Sequence, residues 1–299
     1  MAGNLRTRSL LFLLALIALY LTFRPALTWL AGLAWNDERF DYVILAPFAT
    51  LLLLLVRHKS VFAVVGNSPL SALPFIIAGV LLAIVGNGFD PGLHASASMR
   101  ISISGMVLMV IGAFALIFGR VALGRAIYPF CLLFLTIPLP EMWLGRIVWA
   151  LQDSSATLSG ILFRLAGVPA FRDGHQISLP GFDIAIAEQC SGIRSSTVLV
   201  LASTAAAWAY LRSPVKRVIP IIITIPLVIL KNAVRIVAIS SLALYVNRAF
   251  LFGRLHRYGG LCFSLLDVVV LLPLFTFLHQ SESLQRETPT VPRQSSARE

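Results

Sequence analysis

Long apolar runs separated by short polar and charged segments extend through the whole chain. Most of these runs approach the length of about 20 apolar residues that a helix needs to cross a bilayer. The runs cover residues 10–32, 42–56, 69–87, 101–118, 126–144, 191–211, 217–234 and 260–278. The pattern therefore predicts an all-α polytopic membrane protein with about eight transmembrane helices.

The cations between the apolar runs predict how the helices are oriented. They fall on alternate connections and in the C-terminal tail, so they come to one side if every run is a span. These cations are Arg6, Arg8, Arg57, His58, Lys59, Arg120, Arg125, Arg212, Lys216, Arg217, Arg286, Arg293 and Arg298. By the positive-inside rule that side is the cytoplasm, with both termini there and the first run retained as a signal anchor. The outer loops 145–190 and 235–259 also carry arginines, against the rule, which suggests that some of these arginines are functional.

Residues 1–280 are predicted to form one membrane domain, whereas the polar tail 281–299 is predicted to be disordered in the cytoplasm. Within the domain, segment 145–190 is the sizeable region expected outside the membrane, on the outer side. Apolar residues recur at helical spacing over 146–166, which predicts an amphipathic helix near the membrane interface. Alternating polar and apolar residues over 175–187 predict a small β-hairpin after it.

Composition excludes several other classes of protein. Hydrophobic residues make up 58% of the 299 residues and charged residues only 12%, so a soluble globular domain could not bury the apolar surface. The net charge of +11 reflects membrane topology rather than nucleic-acid binding, because the cations lie in short clusters between apolar runs. The lipid bilayer is the expected partner. No CxxC pair or Cys/His cluster with zinc spacing is present, so neither a metal nor another cofactor is predicted.

Cys190 stands where the polar outer segment ends and an apolar run begins. A cysteine there is reachable from water yet held by a helix, and a nearby cation or a helix N-terminus favours its thiolate. Asn232 and Arg235 interrupt another apolar run, and polar residues inside such runs indicate a functional site. His256 precedes the last run. A thiol, a guanidinium and an imidazole suffice to attack an amide, stabilise its oxyanion and move its proton.

Helix lengths predict that these residues lie at one depth. The run after Cys190 crosses inward, and the run that ends near Arg235 crosses back. At 1.5 Å per residue, 19 residues span about 28 Å, close to the hydrocarbon thickness of a bilayer. Cys190, Arg235 and His256 are therefore expected together at the outer face.

Residues around this trio are assigned supporting roles. Arg194 lies one turn after Cys190, where it either favours the thiolate or binds a substrate carboxylate. Glu188 either orients a base or binds a cationic group. Ser191 and Gly192 form a turn that lets a substrate backbone approach closely.

Three further polar positions lie inside the apolar runs. Asn232 shares a helix face with Arg235 and is assigned a supporting role. Snorkelling to the interface is the preferred interpretation for Lys231 and stays open as the alternative for Arg235. Asp267 is interpreted as pairing with a neighbouring polar group.

Three short segments resemble the motifs of the exosortase/archaeosortase family, in order and in spacing. They are Ala187-Glu188-Gln189-Cys190-Ser191-Gly192-Ile193-Arg194-Ser195, Asn232-Ala233-Val234-Arg235-Ile236, and His256 followed by Gly259-Gly260. Weaker similarity is found in Phe40-Asp41-Tyr42, Ile137-Pro138-Leu139-Pro140 and Leu165-Ala166-Gly167-Val168-Pro169. The resemblance covers residues 36–275. One departure is that the His-Gly often found after the first outer loop is absent, and Tyr42-Val43 stands near that place.

The resemblance implies a cysteine protease-transpeptidase of the bacterial cytoplasmic (inner) membrane, with its active site facing outward. Such enzymes cut a C-terminal sorting signal from exported proteins. The signal is a short motif, often Pro-Glu-Pro, followed by a transmembrane helix and a basic cluster. Carried over by position, Cys190 is implied to be the nucleophile, Arg235 the stabiliser of the thiolate or oxyanion, and His256 the acid/base. Some family members have a C-terminal periplasmic domain, and here that role is expected to fall to a separate accessory protein.

Other classes of protein stay open. A non-enzymatic membrane component of extracellular polysaccharide export or assembly would tolerate Cys190→Ala. A transporter is less favoured, because inverted repeats and several buried carboxylates are not evident in the sequence. A serine hydrolase is not favoured either, because the chain has no GxSxG elbow.

Overall fold

The computed structural model describes residues 2–88, 91–186, 188, 192–251 and 254–287, with side chains over 5–88, 95–186, 188, 192–251 and 263–283. Its α-helices are α1 (Ala2–Thr22), α2 (Arg24–Asn36), α3 (Asp41–Val56), α4 (His58–Val61), α5 (Pro69–Gly88), α6 (Pro91–Phe118), α7 (Arg120–Leu133), α8 (Glu141–Leu165), α9 (Ile193–Tyr210), α10 (Pro214–Tyr245) and α11 (Arg254–Glu287). Its strands are β1 (Phe171–Asp173), β2 (Gln176–Leu179) and β3 (Phe182–Ala185). Short 3-10 helices cover Glu38–Phe40, Phe134–Thr136 and Arg248–Leu251.

Six helical segments of the described chain are long and apolar enough to cross a membrane, and the bent pair α7–α8 makes a seventh if it counts as one span. The six are Leu5–Thr22, Glu38–Val56, Pro69–Gly88, Ala95–Phe118, Pro214–Tyr245 and Phe263–Ser283. These helices confirm the predicted class of polytopic, helical membrane protein. The predicted number of eight is not reached among the described residues, because Arg194 and several Ser and Thr residues lower the hydropathy of α9.

Two of the predicted spans are broken in the structure. Run 10–32 divides at Phe23 into α1 and α2, and Pro25 stands in the first turn of α2, where its missing N–H is tolerated. Run 126–144 divides before Pro138 and Pro140, which cannot continue the helix. As a result α7 and α8 meet at 96° rather than forming one straight helix.

The predicted hairpin is present and is larger than expected. Strands β2 and β3 pair antiparallel around Gly181, and β1 adds a third antiparallel strand beside β2. Gly181 has φ +92°, a left-handed conformation that glycine adopts without strain. Along β2 the side chains alternate, so that Ile177 and Leu179 are buried against α8 and α10.

Helix α8 is amphipathic, as predicted, but its polar face turns inward. Gln152, Ser155 and Ser159 are buried, whereas Trp143 and Trp149 are exposed. The guanidinium of Arg146 lies 5.4 Å from the ring centre of Trp143. An aromatic and basic outer face of this kind is typical of a helix at a membrane–water interface. The inward polar face is explained by its partners on α10 and beside β3.

The helices pack in one continuous arrangement. Helices α5 and α6 pack along their length as an antiparallel pair, and α3 packs against both α7 and α9. Helix α10 packs against α8, α9 and α11. Between α5 and α6 the backbones approach closely at glycines: a Cβ added at Gly105 would lie 2.7 Å from the carbonyl oxygen of Gly79. Small residues at such contacts let membrane helices gain van der Waals packing.

We predict that Gly105→Ala destabilises the protein by about 1–3 kcal/mol, because the added methyl group must push two backbones apart. Unfolding in detergent micelles by heat or denaturant measures the change. Gly124→Ala on α7 is the matched control, because a Cβ there meets nothing within 4 Å. Equal stability of Gly105→Ala and wild type would contradict the close packing of α5 on α6.

Candidate active site

Helix α10 carries the predicted Asn–Arg motif into the interior of the protein. Asn232 is only 2% exposed, and Arg235 is half-buried one turn further along the helix. Both line a cavity of about 60 Å³ that also contacts Ile184 and Ile186, at the end of β3. The strand therefore brings the chain that precedes Cys190 to the face of α10 that carries Arg235.

Helix α8 supports this arrangement with its buried polar face. The Asn232 side-chain amide donates a hydrogen bond to Ser155 Oγ at 3.1 Å. The Gln152 side-chain amide donates to the carbonyl oxygen of Ile186 at 2.8 Å. Gln152 and Ser155 were not predicted as site residues, because the sequence predicted only that α8 is amphipathic and lies near the interface. The signal that could have revealed them is Trp143, which lies opposite Gln152 on the helix, since an exposed tryptophan is typical of a membrane interface.

Gly192 connects the cysteine motif to α10. It is the N-cap of α9 and has φ +79°, in the left-handed region. A Cβ at this position would lie 3.4 Å from Asn232 Cγ, so the backbone of Gly192 packs directly against the Asn232 side chain. The hydroxyls of Ser195 and Ser196 donate to the Gly192 carbonyl at 3.0 and 2.7 Å. The end of the motif is thus held by both α9 and α10.

Arg39, in the predicted first outer loop between α2 and α3, contacts acidic residues from two other segments. It forms an ion pair with Asp37, at 2.7 Å between Nη2 and Oδ2. It also lies 3.6 Å from Glu188 and 3.4 Å from Glu141, at the start of α8. The hydrogen bond from the Arg39 side chain keeps the pKa of Asp37 below its ordinary value.

Arg194 contacts the same loop from the other side of the cysteine motif. Its Nε lies 2.7 Å from Asp41 Oδ2, and its Nη1 lies 3.1 Å from Glu38 Oε2. Glu188 and Arg194 flank Cys190 in sequence, so the loop contacts the motif on both sides. The structure thus pairs both candidate charges with the loop, a role that the sequence did not reveal. Because these pairs are largely exposed, each contributes only about 0–1 kcal/mol.

Two of the weaker motif similarities are neighbours in the fold. The backbone N–H of Leu139 donates to the Tyr42 hydroxyl at 3.3 Å. The proline-rich stretch between α7 and α8 is therefore held against the start of α3, beside the outer loop. This contact belongs to the same side of the protein as the Arg39 and Arg194 ion pairs.

Of the predicted trio Cys190, Arg235 and His256, only Arg235 has a described side chain. Cys190 lies outside the described residues, as does its neighbour Ser191. His256 lies in the first turn of α11, and its side chain is outside the described side chains. The assignment of Cys190, Arg235 and His256 to one site therefore stays a prediction. Among the described residues, no group of three or more His, Cys, Asp or Glu residues is arranged to hold a metal ion.

Lys231 does not snorkel to the interface, so that interpretation was wrong. Its ammonium group is buried and lies 2.9 Å from the carboxylate of Asp267 on α11. The side chain turns toward α11 because an ion pair satisfies both charges inside the protein, where water is absent. Asp267 does pair with a polar neighbour, as expected.

The chain matches the transmembrane exosortase family over residues 34–275, which is most of its length. It therefore belongs to that family of multi-pass membrane proteins. The matched region includes the cysteine motif, the Asn–Arg motif and His256. No curated protein and no solved structure matches the chain.

We predict that Asn232 and Ser155 are energetically coupled. Asn232→Ala and Ser155→Ala should each lower the free energy of unfolding by about 1 kcal/mol, because each leaves the other side chain buried without this hydrogen bond. The double variant should lose less than the sum, with a coupling of about 0.5–1.5 kcal/mol. Denaturant unfolding in micelles measures the cycle.

The control for this cycle pairs Ser155→Ala with Thr50→Val. Thr50 donates a buried hydrogen bond to the carbonyl of Pro129, away from α10. The effects of these two changes should add within about 0.5 kcal/mol, because distant sites are independent. Simple additivity of Asn232→Ala and Ser155→Ala would show that the contact between α8 and α10 is unimportant.

Proposed function

We propose that this protein is a membrane-embedded cysteine protease-transpeptidase that cleaves C-terminal sorting signals of exported proteins at the outer face of the membrane. Membership of the transmembrane exosortase family supports the general class. The observation that carries the proposal is the packing of Gly192 against Asn232. This contact brings the Asn–Arg motif of α10 to the cysteine motif, two residues from Cys190.

The chemistry begins with the thiolate of Cys190. The substrate's sorting helix lies in the membrane and presents its scissile peptide at the outer face. The thiolate attacks the carbonyl carbon, and the electron pair of the carbonyl moves to oxygen to give a tetrahedral oxyanion. The oxyanion collapses, the C–N bond breaks, and a thioester joins the exported protein to Cys190.

Arg235 is proposed to stabilise the oxyanion. Its neighbours in the cavity are largely apolar, among them Ile184, Ile236 and Ile239. A guanidinium in such surroundings interacts more strongly with a developing negative charge than it would in water. Asn232 acts beside it as a support, because it holds both Gly192 and Ser155.

His256 is proposed to protonate the leaving amine and then to activate the group that resolves the thioester. That group is water in hydrolysis and an acceptor amine in transpeptidation. The substrates of this reaction are proteins with a short motif, a transmembrane helix and a basic cluster at the C-terminus. The basic cluster fits a cytoplasmic location, which places the motif at the outer face.

We predict that Cys190→Ala abolishes cleavage. The protein is co-expressed with an exported protein that ends in a proline-containing motif, one apolar helix and an arginine cluster. Intact mass then reports whether the helix is lost. Cys131→Ala is the matched control, because Cys131 is a free, exposed cysteine on α7 that belongs to none of the three motifs. This variant should cleave like wild type.

Equal cleavage by wild type and Cys190→Ala would assign the chemistry to another enzyme. A phenotype that survives Cys190→Ala would instead favour the non-enzymatic component of polysaccharide export or assembly. Loss of cleavage in Cys190→Ala, with Cys131→Ala intact, supports the peptidase.

We predict that Arg235→Gln lowers the cleavage rate by about 10²–10³-fold, the usual loss when one oxyanion donor is removed. Arg235→Lys should retain more activity, because it keeps the charge but not the planar fork of donors. Rates are measured by quantifying cleaved substrate in membranes that contain equal amounts of folded enzyme. A rate in Arg235→Gln within a few-fold of wild type would exclude the oxyanion role.

A further inference from the structure

A buried ion pair joins the two helices that carry the proposed stabiliser and the proposed acid/base. Lys231 Nζ on α10 lies 2.9 Å from Asp267 Oδ2 on α11, with side chains only 4% and 1% exposed. Both residues lie within apolar segments long enough to cross a membrane, Pro214–Tyr245 and Phe263–Ser283. The proposed mechanism assigns no chemical step to either residue.

Stability alone is a poor reason for this pair. Removing two charges from water costs several kcal/mol, and apolar replacements of a buried pair are often as stable. The pair is also imperfectly satisfied, because the second carboxylate oxygen of Asp267, Oδ1, is buried and has no hydrogen-bond partner among the side chains and backbone that the structure describes. The best-attested use of such a pair is to fix the register of the elements that it joins.

Helix geometry relates the pair to the proposed site. On α10, Arg235 lies four residues after Lys231, which places it on the same face and about 6 Å further outward. On α11, positions 256 and 267 are eleven residues apart, or about three turns, so they share a face at a separation of about 16 Å. In an ideal helix, the side of α11 that presents Asp267 to α10 is therefore also the side of position 256.

The other end of α11 is anchored separately. The carboxylate of Glu282 accepts hydrogen bonds from the backbone N–H groups of Arg212 and Ser213, beside the N-terminus of α10. Lys216 Nζ donates to Ser281 Oγ at 2.9 Å. These contacts fix the predicted cytoplasmic end. The pair of Lys231 and Asp267 lies about 22–27 Å further along the two antiparallel helices.

We propose that Lys231 and Asp267 are positioning residues, whose ion pair fixes the rotation and register of α11 so that position 256 faces the side of α10 that carries Arg235. A slip of one residue along α11 turns the helix by 100° and removes position 256 from that face. An ion pair resists such a slip because it has one partner at one place, whereas apolar side chains pack in many ways. The proposal rests on the proposed function of Arg235 and His256.

The decisive variant is the apolar double, Lys231→Met with Asp267→Leu. It should fold in the same yield and unfold at the same or a higher temperature. Its kcat for sorting-signal cleavage should nevertheless fall at least 10-fold, with KM unchanged. In the background of His256→Ala the double variant should cause no further loss. The charge-swapped variant, Lys231→Asp with Asp267→Lys, should recover part of the lost rate.

The matched control is Thr224→Val with Ser203→Ala. These residues form a buried polar pair of α10 with α9, at 2.9 Å between the hydroxyl oxygens. Its removal should leave the rate within two-fold of wild type, because this pair does not set α11.

A second measurement does not depend on activity. Arg235→Cys and His256→Cys are combined in a background with Cys131→Ala, Cys190→Ala and Cys262→Ala. The two positions differ by about 10 Å along the helix axes, and the axes of packed helices lie about 8–10 Å apart. A bifunctional maleimide with a reach of about 13 Å should therefore link them. Adding Lys231→Met and Asp267→Leu should lower the yield of the link several-fold.

Three results would overturn the proposal. The apolar double variant could cleave at the wild-type rate, or its rate could fall only in proportion to its lower folded fraction. The third is a crosslinking yield that does not change when the apolar double is added. If wild type cleaves no sorting signal but the ion pair still controls crosslinking, the proposed function fails and the proposed register survives. The two failures are therefore distinguishable.

Discussion

Buried polar side chains of α10 need protein partners, because the interior of a membrane protein offers little water to satisfy them. Each of these partners lies on a different neighbouring helix. Thr224 bonds to Ser203 on α9, Lys231 to Asp267 on α11, and Asn232 to Ser155 on α8. Since apolar packing between membrane helices is weakly directional, such contacts determine which face meets which. Helix α10 is therefore the element around which the candidate site is organised.

The same constraint explains which features were predictable from the sequence. Apolar runs and their charged connections were enough for the class of fold, because span length and hydropathy are local properties. The polar interruption at Asn232 and Arg235 marked α10 as functional for the same reason. The broken runs at Phe23 and before Pro138 were missed, because hydropathy reports how apolar a segment is and not whether its backbone continues.

The remaining differences concern partners that are far apart in sequence. Lys231 was interpreted as snorkelling, whereas its partner in the fold, Asp267, lies 36 residues further along the chain. Helix α8 was correctly predicted as amphipathic. Which of its faces points into the protein depends on whether protein or water covers the polar side chains. The hydrogen bonds to Asn232 and Ile186 show that protein covers them. The pairing of Glu188 and Arg194 with the first outer loop depends likewise on tertiary structure.

The contacts around the cysteine motif differ in strength according to their depth. In the loop between α2 and α3, Arg39 pairs with Glu188 and Arg194 pairs with Glu38, and salt and water weaken these contacts because both carboxylates are exposed. Deeper in the protein, the buried side chain of Asn232 packs against the backbone of Gly192. If the proposed function holds, a sorting signal reaches the cysteine motif past these exposed ion pairs, which open more easily than the buried contact. The proposed reaction requires such a division, because the peptide has to enter while the reacting groups keep their places.

The choice of cation at each depth follows the same logic. An ammonium ion is compact and strongly hydrated, so burying one is costly unless a carboxylate lies beside it, as Asp267 lies beside Lys231. A guanidinium is more weakly hydrated and presents five donors in a planar fork, which suits Arg235 at the wall of a largely apolar cavity. An ammonium therefore fits a place where one fixed carboxylate faces it, and a guanidinium fits a place where an anion is met by several donors.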